Sequence, residues 1–567
     1  AVVSRWTLGL AGFVNWEARI ELGVAAWISS ARLTAPATPP SEVSTSSAPK
    51  ARMIARRSFD MVSGMVMMYV GYPKLTHAER LQHLPTLDAD APLLSPRQAF
   101  GMAGIDGSVS DLRLTASRAG QPVYTALLQS GPDDEETAVA VDARTGRRLP
   151  AASQDVVLAS ARTYLQHDSH PTSTGAPAAR PGQAEPALAY EGTIDEDPHT
   201  HSRSLDPYRP LHKVQLPDAD RTLLYIADTT GEVVRDAPHT ERTLDYVGTW
   251  LHWLYMFRGG SFDAWWPTII IWLATIGVLV ALTGSIVGIL RWRFSRPYRS
   301  GSRSPFQPGV MRWHHLVGLF FALTTLTWIF SGLMSMRPWG LFKSPHAALE
   351  TESISSLQLD PAQAPMIPHV LLESAHRDGL GDVRELQWRT ILGKPTVLAL
   401  GATGTPHVLD AVTGKPTQVK EQDLTAALNA LTPDHPPRIE QLKEYDFYYY
   451  TRADHTMMGG GDPQPLPFWR VKFDDPDQTW VQLDPATGTV LNTFNQHKRV
   501  ERWLFFLMHS WDLVPLLHRR PLWDIIMLVL AVGGLALSAT GIWIGTKRLG
   551  IKTRRRKLLN RKDQAAQ

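Results

Sequence analysis

Four histidines are the residues best suited to chemistry, because each lies beside an uncharged segment that could cross a bilayer. His252 and His509 come shortly before apolar segments, and the adjacent His314 and His315 open another. An ionisable side chain at membrane depth is costly and is therefore a candidate functional residue. A neutral imidazole can bind a metal ion or transfer a proton. The alternative for the last two is an ordinary position at the membrane interface.

His252 and His509 lie in a repeated stretch of sequence. The interval between them is 257 residues (509 − 252). The same interval relates Trp266 to Trp523, Gly277 to Gly534, Thr283 to Thr540, Gly284 to Gly541, Gly288 to Gly545 and Arg291 to Arg548. A second interval, 268 residues (331 − 63), relates Ser63-Gly64-Met65 to Ser331-Gly332-Leu333, Asp142 to Asp410 and Gly146 to Gly414. Constant intervals over so many positions predict an internal duplication.

Composition excludes several classes of site. The 567 residues include 57 Lys+Arg and 54 Asp+Glu, and the small net charge gives no reason to expect nucleic acid as a partner. The chain has no cysteine, which excludes disulfides, thiolate metal sites, iron–sulfur clusters and covalent haem attachment. Any haem would have to be held by side-chain ligation and packing alone.

Duplication around an approximate two-fold axis would bring equivalent positions together and so place His252 opposite His509. Two neutral imidazoles in that arrangement could bind the iron of one haem b from both faces. Asp512 is the candidate acceptor that orients the His509 ring. The candidates for pairing with the haem propionates are Arg258, Arg519 and Arg520.

His314 and His315 predict a second haem site at the other end of the helices. Adjacent helical residues point about 100° apart, so one would be a ligand and the other structural. We expect the ligand to be His315, with His314 as the alternative. Their partner should be a histidine of a first helix, but Ser46 and Ser47 stand at the equivalent positions. The prediction is therefore one or two haems per chain.

The first 62 residues depart from the repeat. Either a first helix has been lost, or the N-terminal sequence is not the ancestral one, for example through a shifted reading frame. We expect the second.

Three uncharged segments, at about 267–290, 316–336 and 525–545, are long enough to span a bilayer. The segment 291–312 has six arginines and no acidic residue, and the segment 547–562 has nine basic residues and no acidic one. Basic residues favour the cytoplasmic side. The prediction is therefore that both segments are inside and that the intervening β-containing regions are outside.

The predicted fold is a membrane α-helical bundle with three clear spans and a degenerate fourth, N-terminal one, joined to α+β modules outside the membrane. The predicted regions are an atypical N-terminal segment (1–60), a remnant of the first transmembrane helix (61–69), a first outer region (70–250), an outer helix with the second transmembrane helix (251–290), a basic loop (291–312), the third transmembrane helix (313–336), a second outer region (337–502), an outer helix with the fourth transmembrane helix (503–546) and a basic tail (547–567). Residues 166–206 are predicted to be a loop because they are rich in proline, serine, alanine and histidine.

Two further groups are weaker candidates. Tyr448, Tyr449, Tyr450 and Arg452 could form an outward aromatic and basic surface for a substrate, with a sheet surface as the alternative. The pair His199 and His201 could bind a metal but is more often incidental in a flexible loop.

The sequence resembles the PepSY-associated transmembrane family, and within it the inner-membrane ferric-siderophore reductases. The resemblance covers about 63–550. The stretches that carry it are RWHHLVGLFFALTTLTWIFSGLMSM, RPLHKVQLPDADRTLLYIADTTGEVV, YVGTWLHWLYMFR, YDFYYYTR and ERWLFFLMHSWDLVPLL followed by RRPLWD. It implies four spans, periplasmic PepSY-like modules, b-type haems held by histidines, and electron transfer to ferric iron in a periplasmic siderophore.

Alternatives stay open at this point. One is a non-redox membrane-anchored protein whose PepSY modules bind or regulate an outside partner, with structural histidines. A transporter with inverted repeats fits less well, because the repeated units run parallel and no span carries a charge. The electron donor could be a membrane quinol or a cytoplasmic reductase, and a homodimer is one oligomeric state that the sequence leaves open.

Overall fold

A computed structural model of the chain describes residues 61–129, 135–167, 187–258, 261–452, 456 and 464–565. From residue 551 onward the description covers the backbone alone. The predictions for residues 1–60 lie outside these ranges. Residues 61–67 are helical, at the predicted remnant of the first transmembrane helix.

The described elements alternate between short helices, antiparallel strands and long apolar helices. The α-helices are α1 (His77–His83), α2 (Pro96–Met102), α3 (Gln154–Gln166), α4 (His239–Asp245), α5 (Trp266–Arg291), α6 (Val310–Ser335), α7 (Pro368–Arg377), α8 (Glu421–Leu431), α9 (Gln496–Arg502), α10 (Met508–Ser510), α11 (Val514–Leu517) and α12 (Leu522–Ala565). The strands are β1 (Ser110–Arg118), β2 (Gln121–Leu128), β3 (Thr137–Asp142), β4 (Ala189–Ile194), β5 (Leu211–Gln215), β6 (Leu223–Ala227), β7 (Val233–Ala237), β8 (Ser355–Ser356), β9 (Glu385–Ile391), β10 (Lys394–Leu400), β11 (Pro406–Asp410), β12 (Arg438–Leu442), β13 (Phe468–Lys472), β14 (Trp480–Leu483) and β15 (Val490–Phe494).

Three described helices are long and apolar enough to cross a membrane. They cover Asp263–Arg291, Val310–Ser335 and Leu522–Gly550. Each is apolar on all sides, as a helix surrounded by lipid or by other helices must be. Exposed apolar side chains cover their surfaces, for example Leu290 and Phe320. The three spans expected from the sequence are confirmed as helices that could cross a membrane.

Helix α6 lies between α5 and α12 and packs against both. The end of α5 meets the start of α6, where Gly288 contacts His315. The other end of α6 approaches the segment before α12, where Ser331 contacts His509. Adjacent helices therefore run antiparallel, and the bundle has two distinct ends.

A seven-stranded antiparallel sheet joins the two halves of the chain. Its order is β11-β10-β9-β1-β2-β3, with β8 paired to β9. Three strands of each half meet at the β1–β9 pairing, where Leu114 faces Leu386. Beneath the sheet, Trp388, Tyr124 and Phe100 form part of one buried core that also takes side chains from α2 and α7. Alternating apolar residues with turn residues between them predict these strands, and the structure has strands at those positions.

Each half also forms a four-stranded antiparallel sheet, β4-β5-β6-β7 in the first and β12-β13-β14-β15 in the second. The prediction of a loop over residues 166–206 is wrong in part, because β4 lies within it and pairs with β5. Exposed and half-buried residues alternate along β4, as in an edge strand with one face against the protein and the other in solvent. Four of its six residues are small or polar, so its sequence carries little apolar signal.

Candidate functional site

The segments that carry His252 and His509 share an unusual backbone. A single π-helical turn, Tyr246–Trp250 in one half and Trp503–Leu507 in the other, precedes each histidine. Two residues after each histidine the chain turns through a left-handed residue, Leu254 or Trp511. Both features recur at the same 257-residue interval as the sequence repeat. π-turns and left-handed non-glycine residues cost energy and concentrate at functional sites.

Indole groups join these two segments to the spans that follow them. The Nε1–H of Trp266 donates to the carbonyl of Trp253 at 2.7 Å. In the second half, the Nε1–H of Trp523 donates to the carbonyl of Ser510 at 3.0 Å. Each indole lies in the first turn of its span, so the position of each histidine segment is fixed relative to the bundle.

The two histidines meet at one end of the bundle. The ring centres of His252 and His509 are 6.1 Å apart, and the ring planes are nearly perpendicular at 77°. The prediction that the two residues face each other agrees with this geometry. Phe505, one turn before His509, packs against that ring with a centre-to-centre distance of 5.2 Å.

A serine hydroxyl contacts the Nδ1 atom of each ring. Ser63 Oγ is 3.0 Å from His252 Nδ1, and Ser331 Oγ is 2.9 Å from His509 Nδ1. The hydroxyl of Ser331 also donates its own proton to the Trp328 carbonyl at 3.0 Å. Ser331 Oγ must therefore accept from His509 Nδ1–H, because a hydroxyl has only one proton. This assigns the tautomer of His509 and directs its lone pair to Nε2.

The environment keeps His509 uncharged. Burial, and then the neighbouring His252 ring, lower the pKa of His509 well below its usual value. A neutral ring with its proton on Nδ1 is the form that binds a metal through Nε2.

A glycine lies against the edge of each ring. A β-carbon on Gly64 would be 4.0 Å from His252 Cε1, and one on Gly332 would be 3.9 Å from His509 Cε1. These glycines directly follow the two serines that contact Nδ1. The Ser-Gly pair is therefore the element of the repeat that holds the imidazole.

The same arrangement occurs once at the opposite end of the bundle, around His314. Its Nδ1 is 2.9 Å from Thr540 Oγ1. The Thr540 hydroxyl donates to the carbonyls of Ala536 and Leu537, so Oγ1 accepts from the imidazole. Gly541, the next residue, lies against His314 Cε1.

The contacts of His315 differ from those expected of a metal ligand. His315 Nε2 is 2.8 Å from the carbonyl of Gly288, and its Nδ1 is 2.8 Å from Ser304 Oγ. A carbonyl only accepts, so Nε2 carries the proton and both ring nitrogens are used. His315 fixes the loop between α5 and α6, and His314 is the residue at this end whose tautomer suits a metal.

The contacts of Asp512 also differ from the prediction that it orients the His509 ring. Its carboxylate does not orient His509, whose Nδ1 is held by Ser331. Asp512 Oδ2 instead accepts from Arg502 Nη1 at 2.6 Å and from the Tyr450 hydroxyl. The left-handed turn at Trp511 directs the carboxylate away from the imidazole.

The three arginines predicted to bind propionates lie around this end of the bundle. Arg258 is over the ring of Trp266, 4.7 Å from its centre, and pairs with Asp263. Arg520 is over the ring of Trp523 at the same distance and pairs with Asp524. Arg519 is exposed.

Of the tyrosines predicted to form an outward surface, one is buried and two are half-buried. Tyr449 is 1% exposed, and its hydroxyl donates to the carbonyl of Pro465. Tyr448 accepts a hydrogen bond from Trp503 Nε1, and Tyr450 donates to Asp512. Arg452 lies 3.3 Å from Asp512, so its charge also points inward.

His199 and His201 are buried rather than in a flexible loop. His199 Nδ1 is 3.1 Å from an oxygen of Asp245, and His201 Nδ1 pairs with Glu196. Both rings also pack edge-on against tyrosines, Tyr246 and Tyr255. Their role in the described structure is to support the segment that leads to His252.

Sequence reasoning found the histidines but missed the hydroxyl groups that hold them. The signal was present, because Ser63 and Ser331 belong to the 268-residue repeat and Thr540 to the 257-residue repeat. No family model matches this sequence, and no curated protein sequence matches it significantly. The site therefore has to be interpreted from its own geometry: two imidazoles that meet at one end of a membrane-sized bundle, and a third at the other end.

Proposed function

We propose that the chain is a haem-b oxidoreductase that passes electrons across the bacterial inner membrane and reduces ferric iron held in a periplasmic siderophore. The observation that carries this proposal is the His252–His509 pair with a serine at each Nδ1. The sequence resemblance to ferric-siderophore reductases supports the choice of substrate.

The spacing of the two rings fits one haem iron. A metal–nitrogen bond of about 2 Å on each side, together with half the width of each imidazole, separates the ring centres by about 6 Å. The ring centres of His252 and His509 are 6.1 Å apart. Each imidazole would use one Nε2 lone pair to hold the iron, and this requirement sets no particular angle between the two ring planes.

Bound haem b would supply a one-electron ferrous–ferric couple. The chain would provide the two imidazole ligands and hold them in position. Ser331 accepts the Nδ1 proton of His509, which fixes the ring orientation and raises the basicity of Nε2. The apolar spans around the pair limit access of water, which is one of the factors that set a reduction potential.

We attribute the recurring geometry to an internal duplication. The π-turn, the left-handed residue, the indole hydrogen bond and the Ser–His contact all occur once in each half. The central sheet likewise takes three strands from each half. We identify the sheets as the PepSY-like modules that the resemblance implies, and the basic segments 291–312 and 547–562 support a periplasmic position for them.

Two sites would lie on the electron path. His314 is the candidate ligand at the cytoplasmic end. Its distance along α6 from Ser331 is 17 residues, or about 25 Å at 1.5 Å per residue. That distance is close to the thickness of a bilayer core.

The test is a dithionite-reduced minus oxidised absorbance spectrum of the purified protein in detergent, with haem counted per chain. We expect a b-type spectrum that is lost in part or whole in His252→Ala and in His509→Ala. His518→Ala is the matched control, since that histidine is exposed in the same segment.

Folded protein without haem would contradict the proposal. It would favour the alternative, a non-redox membrane-anchored protein whose outer modules bind or regulate a partner. A haem count of two in the unaltered chain would identify the His314 end as a second site, and a count of one would limit the haem to the His252–His509 pair.

A further inference from the structure

A buried cluster of two arginines and one aspartate lies beside His509. Asp512 is fully buried and follows His509 by three residues. Its Oδ2 atom accepts from Arg502 Nη1 at 2.6 Å and from Tyr450, and it lies 3.3 Å from Arg452 Nη2. Arg452 is near enough for its charge to contribute to the lowered pKa of His509. None of these four groups takes part in holding the imidazole.

The cluster has a surplus positive charge. Two guanidinium groups face a single carboxylate, and the neighbouring acid Glu501 is paired with Arg337 instead. The Arg502 side chain is 5% exposed and that of Arg452 is 14% exposed. A buried charge without a counter-charge is strongly unfavourable, so the cluster is suited to one more negative group.

Donor atoms for such a group are already oriented. Arg502 Nη2 and Arg452 Nε are buried and have no hydrogen-bond partner among the described residues. The Arg502 guanidinium is held over the rings of Phe447, at 4.2 Å, and Phe506, at 4.7 Å. A planar guanidinium fixed in this way presents a fork of donors that matches the two oxygens of a carboxylate.

We infer that Arg452 and Arg502 form a carboxylate-binding subsite next to His509. Asp512 holds the two guanidinium groups together and leaves the subsite with one net positive charge, so it takes a singly charged carboxylate group. The carboxylate comes either from a side chain of the group bound between His252 and His509 or from an incoming ferric chelate. The first source rests on the proposed function, and the second does not require haem.

The subsite belongs to the second half alone. At the 257-residue interval, Arg502 corresponds to Asp245 and Asp512 to Tyr255. Asp245 is buried and pairs with His199, so the first half has an acid where the second has a base. A carboxylate is therefore directed to the His509 side of the pair.

The experiment compares the full chain with Arg452→Gln, and uses Arg438→Gln as a control that removes an exposed arginine from β12 of the same half. In the first arm, haem-free protein is titrated with haem and with haem dimethyl ester, which has no free carboxylates. In the second arm, binding of ferric citrate is compared with binding of a ferric trihydroxamate, which has no carboxylates.

If the bound group supplies the carboxylate, the unaltered chain and Arg438→Gln prefer haem to the ester by about tenfold or more, as expected for charged hydrogen bonds. Arg452→Gln then shows a smaller preference. If the chelate supplies it, Arg452→Gln weakens citrate binding by a similar factor and leaves trihydroxamate binding unchanged. Arg452→Lys keeps the charge without the fork and gives an intermediate loss in either arm.

Folded Arg452→Gln that changes neither selectivity would overturn the inference and leave the cluster as a structural ion pair. Should no form of the chain bind haem, the proposed function fails by itself. The subsite is then judged on the citrate arm and on stabilisation of the haem-free protein by sodium propionate relative to sodium chloride at equal ionic strength.

Discussion

At the scale of single residues, the hydroxyl groups decide which nitrogen of each histidine is available. Ser331 and Thr540 each donate their own proton to a carbonyl of their own helix. Their oxygens are therefore left to accept from an imidazole, and each ring presents Nε2. Position alone would not achieve this, because a histidine free to change tautomer or rotate binds a metal less tightly.

The first prediction concerns Ser331. Replacement by alanine removes the acceptor of His509 Nδ1–H and should weaken cofactor binding about ten- to a hundredfold, the usual effect of losing a partner of a metal-binding histidine. Retention of haem through purification and dilution measures it. Ser335→Ala is the control, because that hydroxyl lies one turn further along α6 and donates only to the Gly332 carbonyl. Equal retention in the two variants would contradict the role assigned to Ser331.

The second prediction concerns Glu385, which is fully buried in the central sheet. Its carboxylate lies 2.7 Å from Arg80 and 3.6 Å from His77. Glu385→Gln leaves Arg80 without its counter-charge and should lower the free energy of unfolding by about 3–5 kcal/mol. Chemical denaturation at neutral pH measures this. Glu373→Gln, at an exposed position, should change it by less than about 0.5 kcal/mol.

The pH dependence of this contribution has a defined sign. The charges of Arg80, Arg113 and His77 hold the pKa of Glu385 below its usual value in the folded chain, although burial acts in the opposite direction. The stabilisation is therefore present above pH of about 4.5 and is lost as the pH falls below it. Glu385→Gln should be less sensitive than the unaltered chain over that acidic range, and parallel curves would contradict the assignment.

Sequence reasoning predicted only those parts of the site that follow from the repeat. His252 and His509 were predicted because equivalent residues would come together if the chain is internally duplicated. The sequence does not decide which of His314 and His315 suits a metal, because helical periodicity says only that the two side chains point in different directions. The partner of Asp512 could not be foreseen either, since it depends on the left-handed turn at Trp511.

At the scale of elements, the turns after β3 and β11 fix a helix against the central sheet. Gly146 and Gly414 have φ values of 66° and 68°. A β-carbon on Gly414 would be 2.7 Å from Val370 Cγ1, and one on Gly146 would be 2.8 Å from Met102 Cβ. Both turns therefore need glycine for two reasons, the left-handed backbone and the close approach of α7 or α2.

The third prediction follows from these turns. Gly414→Ala should lower the free energy of unfolding by about 2 kcal/mol or more, because about 1 kcal/mol of backbone strain is added to overpacking against Val370. Gly107→Ala is the control: its φ is 92°, but no atom of the described residues lies within 4 Å of the added carbon. Thermal or denaturant unfolding of the two variants would separate strain from crowding. A larger loss at Gly107 would contradict the packing argument.

Most strands could be predicted because each is a short stretch rich in apolar residues with turn residues at both ends. The exceptions are β4, β8 and β12. Four of the six residues of β4 are small or polar, and its position is set by pairing with β5 rather than by its own pattern. The two π-turns could not be predicted from the sequence either. Five residues of ordinary helical sequence do not indicate that a turn contains one extra residue. Whether a π-turn forms is decided by tertiary packing of the histidine segment against the bundle.

At the scale of the whole molecule, the antiparallel order of the three long helices separates two ends. The loop between α5 and α6 lies at the end that has His315, and the sheets follow α6 at the end that has His509. If the three helices cross a membrane, this loop and the sheets must lie on opposite sides of it. The excess of arginine in the loop supports the proposal that the loop lies on the cytoplasmic side.

The fourth prediction tests this arrangement and uses the absence of cysteine from the chain, which makes any introduced thiol unique. Ser300→Cys lies in the loop and Ser353→Cys lies beyond the far end of α6, both at exposed positions. A membrane-impermeant maleimide applied to cells with a permeable outer membrane and an intact inner membrane should label Ser353→Cys and spare Ser300→Cys. Permeabilising the inner membrane should then expose both. Labelling of the two positions from the same side would contradict the spans. Labelling of Ser300→Cys alone would reverse the orientation. The His252–His509 pair would then face the cytoplasm and could not reduce a periplasmic substrate.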